Sequence, residues 1–195
     1  MAKTVYYCAS SLDGYLAEVD DSLEWLLNYQ GAFVEQEAAD PAPMSEGGAY
    51  ERFYAQVGAL VAGSSTYEWD HLDVAGGGSW PYRGKPCWVL SSRDLRLPDG
   101  DGVDVRVANT TVGELYGEMT AAAGDRVLWV VGGGRVASQF ADEGLLDEVH
   151  VTIVPVALGA GKPLFERRLP NGAMQLTGTR TFKNGMVELR YEIRR

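Results

Sequence analysis

Short apolar runs alternate with segments of helical periodicity along most of the chain. Residues 4–10 are rich in β-branched and aromatic side chains and predict a first strand. Residues 59–62 and 127–131 are apolar throughout, as expected of buried strands. Residues 112–122 carry apolar side chains at helical spacing, and Gly124 marks the end of that helix. Strands that alternate with helices in this way predict an α/β domain with a mostly parallel sheet.

The C-terminal end has a different pattern. Residues 175–182 and 186–193 alternate in polarity around Asn184 and Gly185, a strong hairpin signal that should add antiparallel strands at one edge of the sheet. We therefore expect an α/β fold with a mixed, mostly parallel central sheet flanked by helices and a C-terminal antiparallel hairpin. The remaining expected elements are strands over 86–91, 103–107 and 149–154, helices near 21–27 and over 50–56, 65–69 and 135–143, and loops over 31–49, 76–79 and 158–162.

The ends of the expected parallel strands are the places to look for a ligand site. Parallel sheets bind ligands at the carboxyl ends of their strands. Four such ends are expected at Ala9–Ser10, Gly63, Ser91 and Gly132.

Composition narrows the class of protein. The 195 residues fit one domain spanning 1–195, since domains run to roughly 100–200 residues. A net charge of −10 argues against a nucleic-acid partner. The longest apolar run, 127–131, is far shorter than the ~20 residues of a membrane span, and residues 1–7 lack the apolar region of a signal peptide. Cys8 and Cys87 lack metal-ligand spacing and predict buried thiols in a reducing cytoplasm, with no metal site.

The sharpest motif is a glycine triplet that follows a buried strand. Gly132, Gly133 and Gly134 separate the strand over 127–131 from a helix that begins near Arg135. Without Cβ atoms the backbone can approach a ligand closely, and the free N–H groups of a helix N-terminus suit a phosphate. The alternative interpretation is a tight strand-to-helix turn.

Two other strand ends carry hydroxyl groups. Gly63 is followed by Ser64, Ser65 and Thr66, which can present hydroxyl and N–H groups to an anion or can simply cap a helix. A third strand ends in the segment Ser91, Ser92 and Arg93. These two hydroxyls and the guanidinium group form a plausible phosphate clamp, or a solvated strand end.

Six short motifs occur in an order that resembles one superfamily. With these motifs the chain is similar to the dihydrofolate-reductase-like superfamily over residues 4–193, and more closely to the bacterial riboflavin-biosynthesis reductase domain and its stand-alone relatives. The motifs are Ala9–Gly14, Gly63–Glu68, Leu90–Arg93, Gly132–Arg135, Leu146–His150 and Leu158–Phe165.

The resemblance implies an eight-stranded mixed sheet and an NADPH-dependent reductase. In such enzymes the glycine triplet and the following helix hold the pyrophosphate, and the strand end that matches Ser91–Arg93 lies by the adenosine ribose and its 2′-phosphate. The turn that matches Gly63–Thr66 also faces the dinucleotide, and the segments near Ala9 and Leu16 frame the nicotinamide. The cofactor-binding residues implied are Ala9, Leu16, Gly63, Ser64, Ser65, Thr66, Ser91, Ser92, Arg93, Gly132, Gly133, Gly134, Arg135 and Val136.

The chain departs from the family pattern at several positions. Ser64 stands where the superfamily usually has an arginine, and Arg93 is the candidate to replace that contact with the 2′-phosphate. On the first helix, Ser22 stands where the dihydrofolate reductases have an acid. Its neighbour Asp21 is the candidate catalytic substitute, or a helix cap, and Thr152 matches a substrate-side threonine or is structural. His150 shares a strand face with Thr152 and is expected to be a partly buried structural residue.

Three functions are compatible with these motifs. The first is an NADPH-dependent oxidoreductase that transfers hydride to a small pteridine-like or pyrimidine-like heterocycle. The second is the riboflavin-pathway reduction of a ribosylaminopyrimidine, for which the sequence shows no basic cluster that would bind the substrate's phosphate. The third is a non-catalytic nucleotide-binding module on the same scaffold. Because the closing hairpin leaves an exposed edge and relatives of this type commonly pair, we also expect a homodimer.

Overall fold

A computed structural model describes residues 2–29, 48–75 and 79–194 of the chain. The predicted loops over 31–49 and 76–79 lie almost entirely outside the described residues. The strands are β1 (Thr4–Ser11), β2 (Tyr15–Ala17), β3 (Val57–Gly63), β4 (Cys87–Leu90), β5 (Val105–Ala108), β6 (Val127–Gly132), β7 (Glu148–Val154), β8 (Lys162–Pro163), β9 (Met174–Thr181) and β10 (Val187–Ile193). The helices are α1 (Glu24–Leu27), α2 (Ala49–Tyr54), α3 (Ser64–Ala75), α4 (Val112–Ala123) and α5 (Gly134–Asp142).

Eight of the strands form one mixed sheet. Their order is β5-β4-β3-β6-β1-β7-β10-β9. The six strands from β5 to β7 run parallel to one another, whereas β10 is antiparallel to β7 and β9 is antiparallel to β10. The predicted mostly parallel sheet with a C-terminal antiparallel hairpin is therefore confirmed.

The two faces of this sheet are covered by different helices. On the back face, α4 and α5 pack through Met119 and Phe140 against alternate residues of β1 and β6, such as Tyr6 and Leu128. On the front face, α2 and α3 pack against an aromatic layer that includes Trp129. This alternation follows from strand geometry, because successive side chains point to opposite faces.

A small second sheet stands beside the main one. It pairs β2, to which the sequence analysis assigned no element, with β8, which overlaps the end of the predicted loop over 158–162. The turn before β2 is tied to the loop before β8 by the Asp13 carboxylate, which accepts hydrogen bonds from the N–H groups of Leu158 (3.1 Å) and Gly159 (2.7 Å) and from the Ser11 hydroxyl (2.6 Å). These donors hold the pKa of Asp13 at about 2, below its usual value.

One edge strand of the sheet is exposed, and both cysteines are free thiols. Among the described residues no strand pairs with the outer edge of β9, which is mostly exposed, with Met174 and Leu176 facing solvent. Cys8 and Cys87 are free thiols, as expected, and burial raises the pKa of Cys8 to about 12. At this pKa the Cys8 thiol stays protonated and unreactive near neutral pH.

Candidate functional site

Four strand ends meet at the carboxyl edge of the parallel part of the sheet. Strands β4, β3, β6 and β1 are consecutive neighbours. Gly63 pairs with Leu90, and Ala62 pairs with Gly132, so the ends of β3, β4 and β6 lie level with one another. The strand ends near Ala9, Gly63, Ser91 and Gly132, where the sequence analysis looked for a ligand site, therefore lie at one edge of the sheet.

The turns after β3 and β6 touch each other. A Cβ atom built on Gly132 would lie 2.9 Å from Thr66 Oγ1, and one built on Gly63 would lie 3.3 Å from Val136 Cγ2. A Cβ on Gly133 would lie 3.9 Å from the Gly63 nitrogen. We call this group of Gly63, Thr66, Gly132, Gly133 and Val136 the cradle. It lies at the point where β3 and β6 pass into α3 and α5.

Glycine is required at the three positions of the triplet for different physical reasons. A side chain on Gly132 would press against Thr66, and one on Gly134 would collide with the carbonyl groups of Pro163 and Leu164. Gly133 is different, because its φ of +89° excludes most side chains although a Cβ there would meet nothing closer than 3.7 Å. Packing alone explains two of the glycines, whereas the backbone conformation explains Gly133.

Helix α5 begins at the cradle without a side-chain cap. Its N-cap residue is Gly133, which offers no capping group, so N–H groups of the first turn are left for solvent or for a ligand. Arg135 is exposed in this turn, and Val136 is buried beneath it. A helix N-terminus of this kind attracts anions.

The strand end at Arg93 carries a guanidinium group that already forms an ion pair. The Arg93 guanidinium donates to both oxygens of the Glu68 carboxylate, at 3.0 and 2.7 Å, and the two side chains are half exposed. The Ser91 hydroxyl accepts from the Arg93 backbone N–H at 2.9 Å, and Ser92 is exposed. Ser64 and Ser65 begin α3 on the neighbouring turn. A phosphate at Arg93 would therefore compete with Glu68.

The first strand and the small sheet frame the other side of the edge. Ala9 lies on the front face of β1, and Leu16 lies in β2. Asp21 has a φ of 67° and its carboxylate lies 3.5 Å from Lys162 Nζ. The expectation that Asp21 caps the first helix is wrong, because the N-cap residue is Leu23 and the Ser22 hydroxyl accepts the hydrogen bond from the Glu24 N–H.

Thr152 lies beside a buried network that crosses the front face. It is buried on β7 and pairs in register with Ala9 on one side and with Glu188 on the other. The Tyr7 hydroxyl, two residues before Ala9 on the same face of β1, donates to Glu188 Oε2 at 3.1 Å. Burial and the Glu188 charge hold the pKa of Tyr7 well above its usual value.

Two arginines complete this network. Glu188 Oε1 accepts from Arg190 Nε at 2.7 Å and from an Arg180 guanidinium N–H at 3.2 Å, and Glu188 itself is 1% exposed. We call Tyr7, Arg180, Glu188 and Arg190 the polar network. Sequence reasoning found only its neighbour Thr152.

One signal could have revealed part of the polar network. Arg180 and Glu188 each stand four positions from Asn184, so a hairpin centred on that turn pairs them, as the structure does. The contact with Tyr7 had no such signal, because the neighbours of β1 and β10 depend on the order of strands in the sheet. His150 lies two residues before Thr152 on β7. It is partly buried, as predicted for a structural histidine, and its Nε2 atom lies 2.9 Å from Glu148 Oε2.

The opposite edge of the sheet offers no comparable arrangement. Two shallow depressions of about 230 and 250 Å³ lie at the amino ends of the parallel strands, and both are bordered by Lys3. Among the described residues, no group of three or more His, Cys, Asp or Glu side chains is placed to hold a metal ion. Within the same residues, no helix has the length and apolar character to cross a membrane.

Comparison with known proteins identifies the family. Residues 2–188 match the RibD C-terminal domain. The chain belongs to the RibD C-terminal domain family. This RibD C-terminal domain chain is 32% identical to the Bacillus subtilis protein YwjB over 190 residues, which is 97% of each chain.

Solved structures agree with that assignment. A Shewanella protein assigned to riboflavin biosynthesis has 25% identity and a TM-score of 0.76, with both chains fully covered. The dihydrofolate reductase of Enterococcus faecalis, solved with NADP(H), has 15% identity and a TM-score of 0.60, covering 99% of this chain and 97% of that one. The fold of this RibD C-terminal domain chain is thus that of dihydrofolate reductase, as the motifs had indicated, and its family and neighbours are reductases.

Proposed function

We propose that the protein is an NADPH-dependent reductase that transfers hydride to a small pteridine-like or pyrimidine-like heterocycle. The observation that carries this proposal is the cradle, in which the turns after two parallel strands meet at an uncapped helix N-terminus. The membership in a family of reductases supports it. A dinucleotide suits these residues, because the N–H groups at the start of α5 have no side-chain cap and follow a glycine, which lets a ligand approach the backbone.

The proposed cofactor contacts follow from the position of each residue. Residues 132–136 would hold the pyrophosphate, and residues 63–66 would flank it from the neighbouring turn. Ser91, Ser92 and Arg93 would contact the 2′-phosphate, for which the guanidinium must leave Glu68. Bound NADPH supplies the hydride, and the chain's own residues orient the reactants and exclude water.

The proposed substrate side lies next to Ala9 on the front face. Ala9 and Leu16 would frame the nicotinamide through their backbone, and Thr152 lies beside Ala9 in register. Asp21 is held by Lys162 on the small sheet, so a catalytic role would require the carboxylate to leave that partner. Of the two predicted catalytic residues, Thr152 is therefore the one that we favour.

We also propose that the protein is a homodimer in which β9 contributes to the interface. Strand β9 is an unpaired edge whose side chains include Met174, 40% exposed, and Leu176, 50% exposed. Unprotected edges of this kind pair readily with another chain. Light scattering at tens of micromolar should give the dimer mass, and Leu176→Lys should shift it towards the monomer. A monomer in the unaltered protein would contradict this part of the proposal.

Calorimetric titration with NADPH and NADH, followed by turnover assays, tests the proposed function. We expect NADPH to bind more tightly than NADH and to be oxidised in the presence of a member of a panel of dihydrofolate and aminopyrimidine substrates. NADPH binding without turnover on any substrate would favour a non-catalytic nucleotide-binding module. Failure to bind either nucleotide would refute the proposal.

A further inference from the structure

We infer that the Trp129 indole holds β1 and β6 apart beyond their last paired residues, which keeps a gap between Ala9 and Gly132 open for the nicotinamide end of the dinucleotide. This inference rests on the proposed function, which places the nicotinamide beside Ala9. It assigns Trp129 as a positioning residue that acts through the backbone of Tyr7.

The main sheet divides between β1 and β6. Strand β1 pairs with β7 over the seven residues Val5–Ser11, but it pairs with β6 over only three, Thr4–Tyr6. Strand β6 stays beside β3 as far as the pair of Ala62 with Gly132. The strands β1 and β6 are therefore hydrogen-bonded at their amino ends and separate towards their carboxyl ends.

One missing ladder bond marks the point of separation. In a parallel pair, N–H groups of alternate residues on one strand donate to alternate carbonyl groups on the other. The Leu128 N–H donates to the Lys3 carbonyl at 2.9 Å. Further along the two strands, the corresponding bond would join the Gly132 N–H to the Tyr7 carbonyl, and the pairing of β1 with β6 ends before that bond.

The Tyr7 carbonyl accepts a hydrogen bond from a side chain instead. Trp129 Nε1 donates to the Tyr7 oxygen at 3.0 Å. A carbonyl group inside a sheet is costly without a donor, so the Tyr7 carbonyl without its indole partner would favour the ladder bond from Gly132. The indole N–H therefore lowers the free energy of the separated strands relative to that of the closed pair.

The aromatic layer fixes the position of this indole. Trp129 is 5% exposed, and its ring meets those of Phe53 and Tyr82 edge to face at centroid distances of 5.5 and 5.6 Å. Tyr50 and Tyr54 contact the same ring from α2, at 6.1 and 6.3 Å. Because these rings surround the indole, its N–H group stays directed at β1.

The separated strands leave the backbone of Ala9 to a ligand. Residues of a strand present their N–H and C=O groups alternately to its two neighbours, and Tyr7 presents its carbonyl to β6, so Ala9 faces β6 as well. Among the described residues, none of β6 pairs with Ala9. The gap thus carries a backbone donor and a backbone acceptor beside Gly132.

The variant Trp129→Phe removes the N–H group and keeps an aromatic ring in the layer. The two probes are NADPH and 2′-phospho-ADP-ribose, which is the same molecule without the nicotinamide ring. Calorimetric titration should show that the variant binds NADPH about tenfold more weakly and changes its affinity for 2′-phospho-ADP-ribose less than about twofold. Only the nicotinamide end should be affected, because the cradle does not include Trp129.

The matched control is Trp80→Phe. Trp80 belongs to the same aromatic layer, is 2% exposed and meets Tyr82 edge to face at 5.3 Å. Its Nε1 atom has no hydrogen-bond partner among the described residues, so the control loses the same atoms without losing a hydrogen bond. The two variants should show similar losses of melting temperature, and the control should bind both probes as the unaltered protein does.

Hydrogen exchange of backbone amides supplies a readout that needs no nucleotide. In the unaltered protein, the Gly132 amide should exchange about tenfold faster than the Val130 amide, which lies within the paired part of β6. In Trp129→Phe the strands should close, so that the exchange of Gly132 slows towards the rate of Val130. Trp80→Phe should leave both rates unchanged.

A second variant keeps the inference testable if Trp129→Phe does not fold. Benzothienylalanine in place of Trp129 retains both fused rings and replaces only the N–H group, by sulfur. It should weaken NADPH binding and slow the exchange of Gly132 as Trp129→Phe does.

Three outcomes would overturn the inference: equal weakening of the two probes by loss of the Trp129 N–H, NADPH binding that matches the control, or exchange of Gly132 in the unaltered protein as slow as that of Val130. Failure of the proposed function is distinguishable from these. Protein that binds neither probe refutes the proposed function, and the exchange rates then decide whether Trp129 keeps the two strands apart.

Discussion

The cradle and the polar network lie at neighbouring parts of one sheet, but the first is formed mainly by backbone and the second by side chains. The cradle consists mainly of the backbone of two turns, which approach so closely that a side chain on Gly132 would press against Thr66. The polar network consists of side chains from β1, β9 and β10 around one buried carboxylate. Backbone sites suit a ligand part that many proteins share, such as a pyrophosphate, whereas side-chain networks can be altered to suit one substrate.

The largest effect on cofactor binding that we predict is at the cradle. Gly133→Val should weaken NADPH binding at least a hundredfold, because a branched side chain would crowd Val136 and Gly63 and resist the φ of +89°. The control is Gly144→Val, at a φ of +66° with no atom within 4 Å of the added Cβ. Both variants should lose similar thermal stability, and only the first should lose NADPH. If both bind NADPH equally, the glycines serve only a tight turn.

A large loss of stability is predicted at the polar network. Glu188→Ala leaves two guanidinium groups and the Tyr7 hydroxyl without their common acceptor, and removal of one partner from a buried ion pair costs about 3–5 kcal/mol. Glu118→Ala breaks a more exposed pair with Arg106 and should cost about 1 kcal/mol or less. Urea unfolding measures both. Similar losses of unfolding free energy in the two variants would show that the buried ion pairs of Glu188 stabilise the fold no more than an exposed pair does.

A second buried carboxylate on the front face sharpens the comparison, because it lacks such partners. Asp70 Oδ2 is buried with no hydrogen bond among the described residues, and Oδ1 accepts only a 3.4 Å bond from the Tyr82 hydroxyl. Burial raises the pKa of Asp70 from 3.8 to about 7, against a smaller lowering by Tyr82. Its folded-state pKa therefore lies above that of the unfolded chain, so stability is lost as the pH rises from about 4 to about 7 and is then constant.

Asp70→Asn should remove this pH dependence. Each pKa unit corresponds to about 1.4 kcal/mol, so the stabilisation should be about 2 kcal/mol greater at pH 8 than at pH 5.5. Chemical unfolding at the two pH values measures it, with Asp99→Asn on an exposed loop as the control that should change little. An equal effect of Asp70→Asn at both pH values would mean that Asp70 is ionised throughout.

The smallest predicted effect is at Arg93. Arg93→Ala should weaken NADPH about tenfold and leave NADH nearly unchanged, because a charge-assisted contact to the 2′-phosphate contributes roughly 1.5–3 kcal/mol. Glu68→Gln frees Arg93 and should strengthen NADPH relative to NADH. Equal losses for the two nucleotides in Arg93→Ala would show that Arg93 does not read the phosphate.

The sequence was informative about the cradle for a physical reason. A buried strand, a glycine turn and a helix are contiguous in residues 127–142, and the order of such units predicts the parallel sheet. The Asn184–Gly185 turn likewise predicted the hairpin, which the structure contains. Local signals therefore predicted the fold and the backbone part of the candidate site.

The polar network could not be predicted in the same way. Tyr7 and Glu188 are 181 positions apart, and they meet only because β7 lies between β1 and β10 in the strand order. The pairing of Arg93 with Glu68 also joins separate elements. The N-cap of α1 was predicted wrongly because the helix starts one or two residues later than expected. Hydrophobic periodicity does not define the start of a short helix to within one or two residues.

The contact of Gly134 with the small sheet has a mechanical consequence. Backbone touches backbone where Gly134 meets the carbonyl groups of Pro163 and Leu164, and again where Gly161 meets the Ala17 carbonyl. No flexible side chain lies between these segments. A displacement of the start of α5 would therefore move β8 and, through β8, β2. If a dinucleotide fills the cradle as proposed, we expect the segment beside Leu16 to stiffen. The expected kinetic outcome is then an ordered mechanism, with the dinucleotide binding before the substrate.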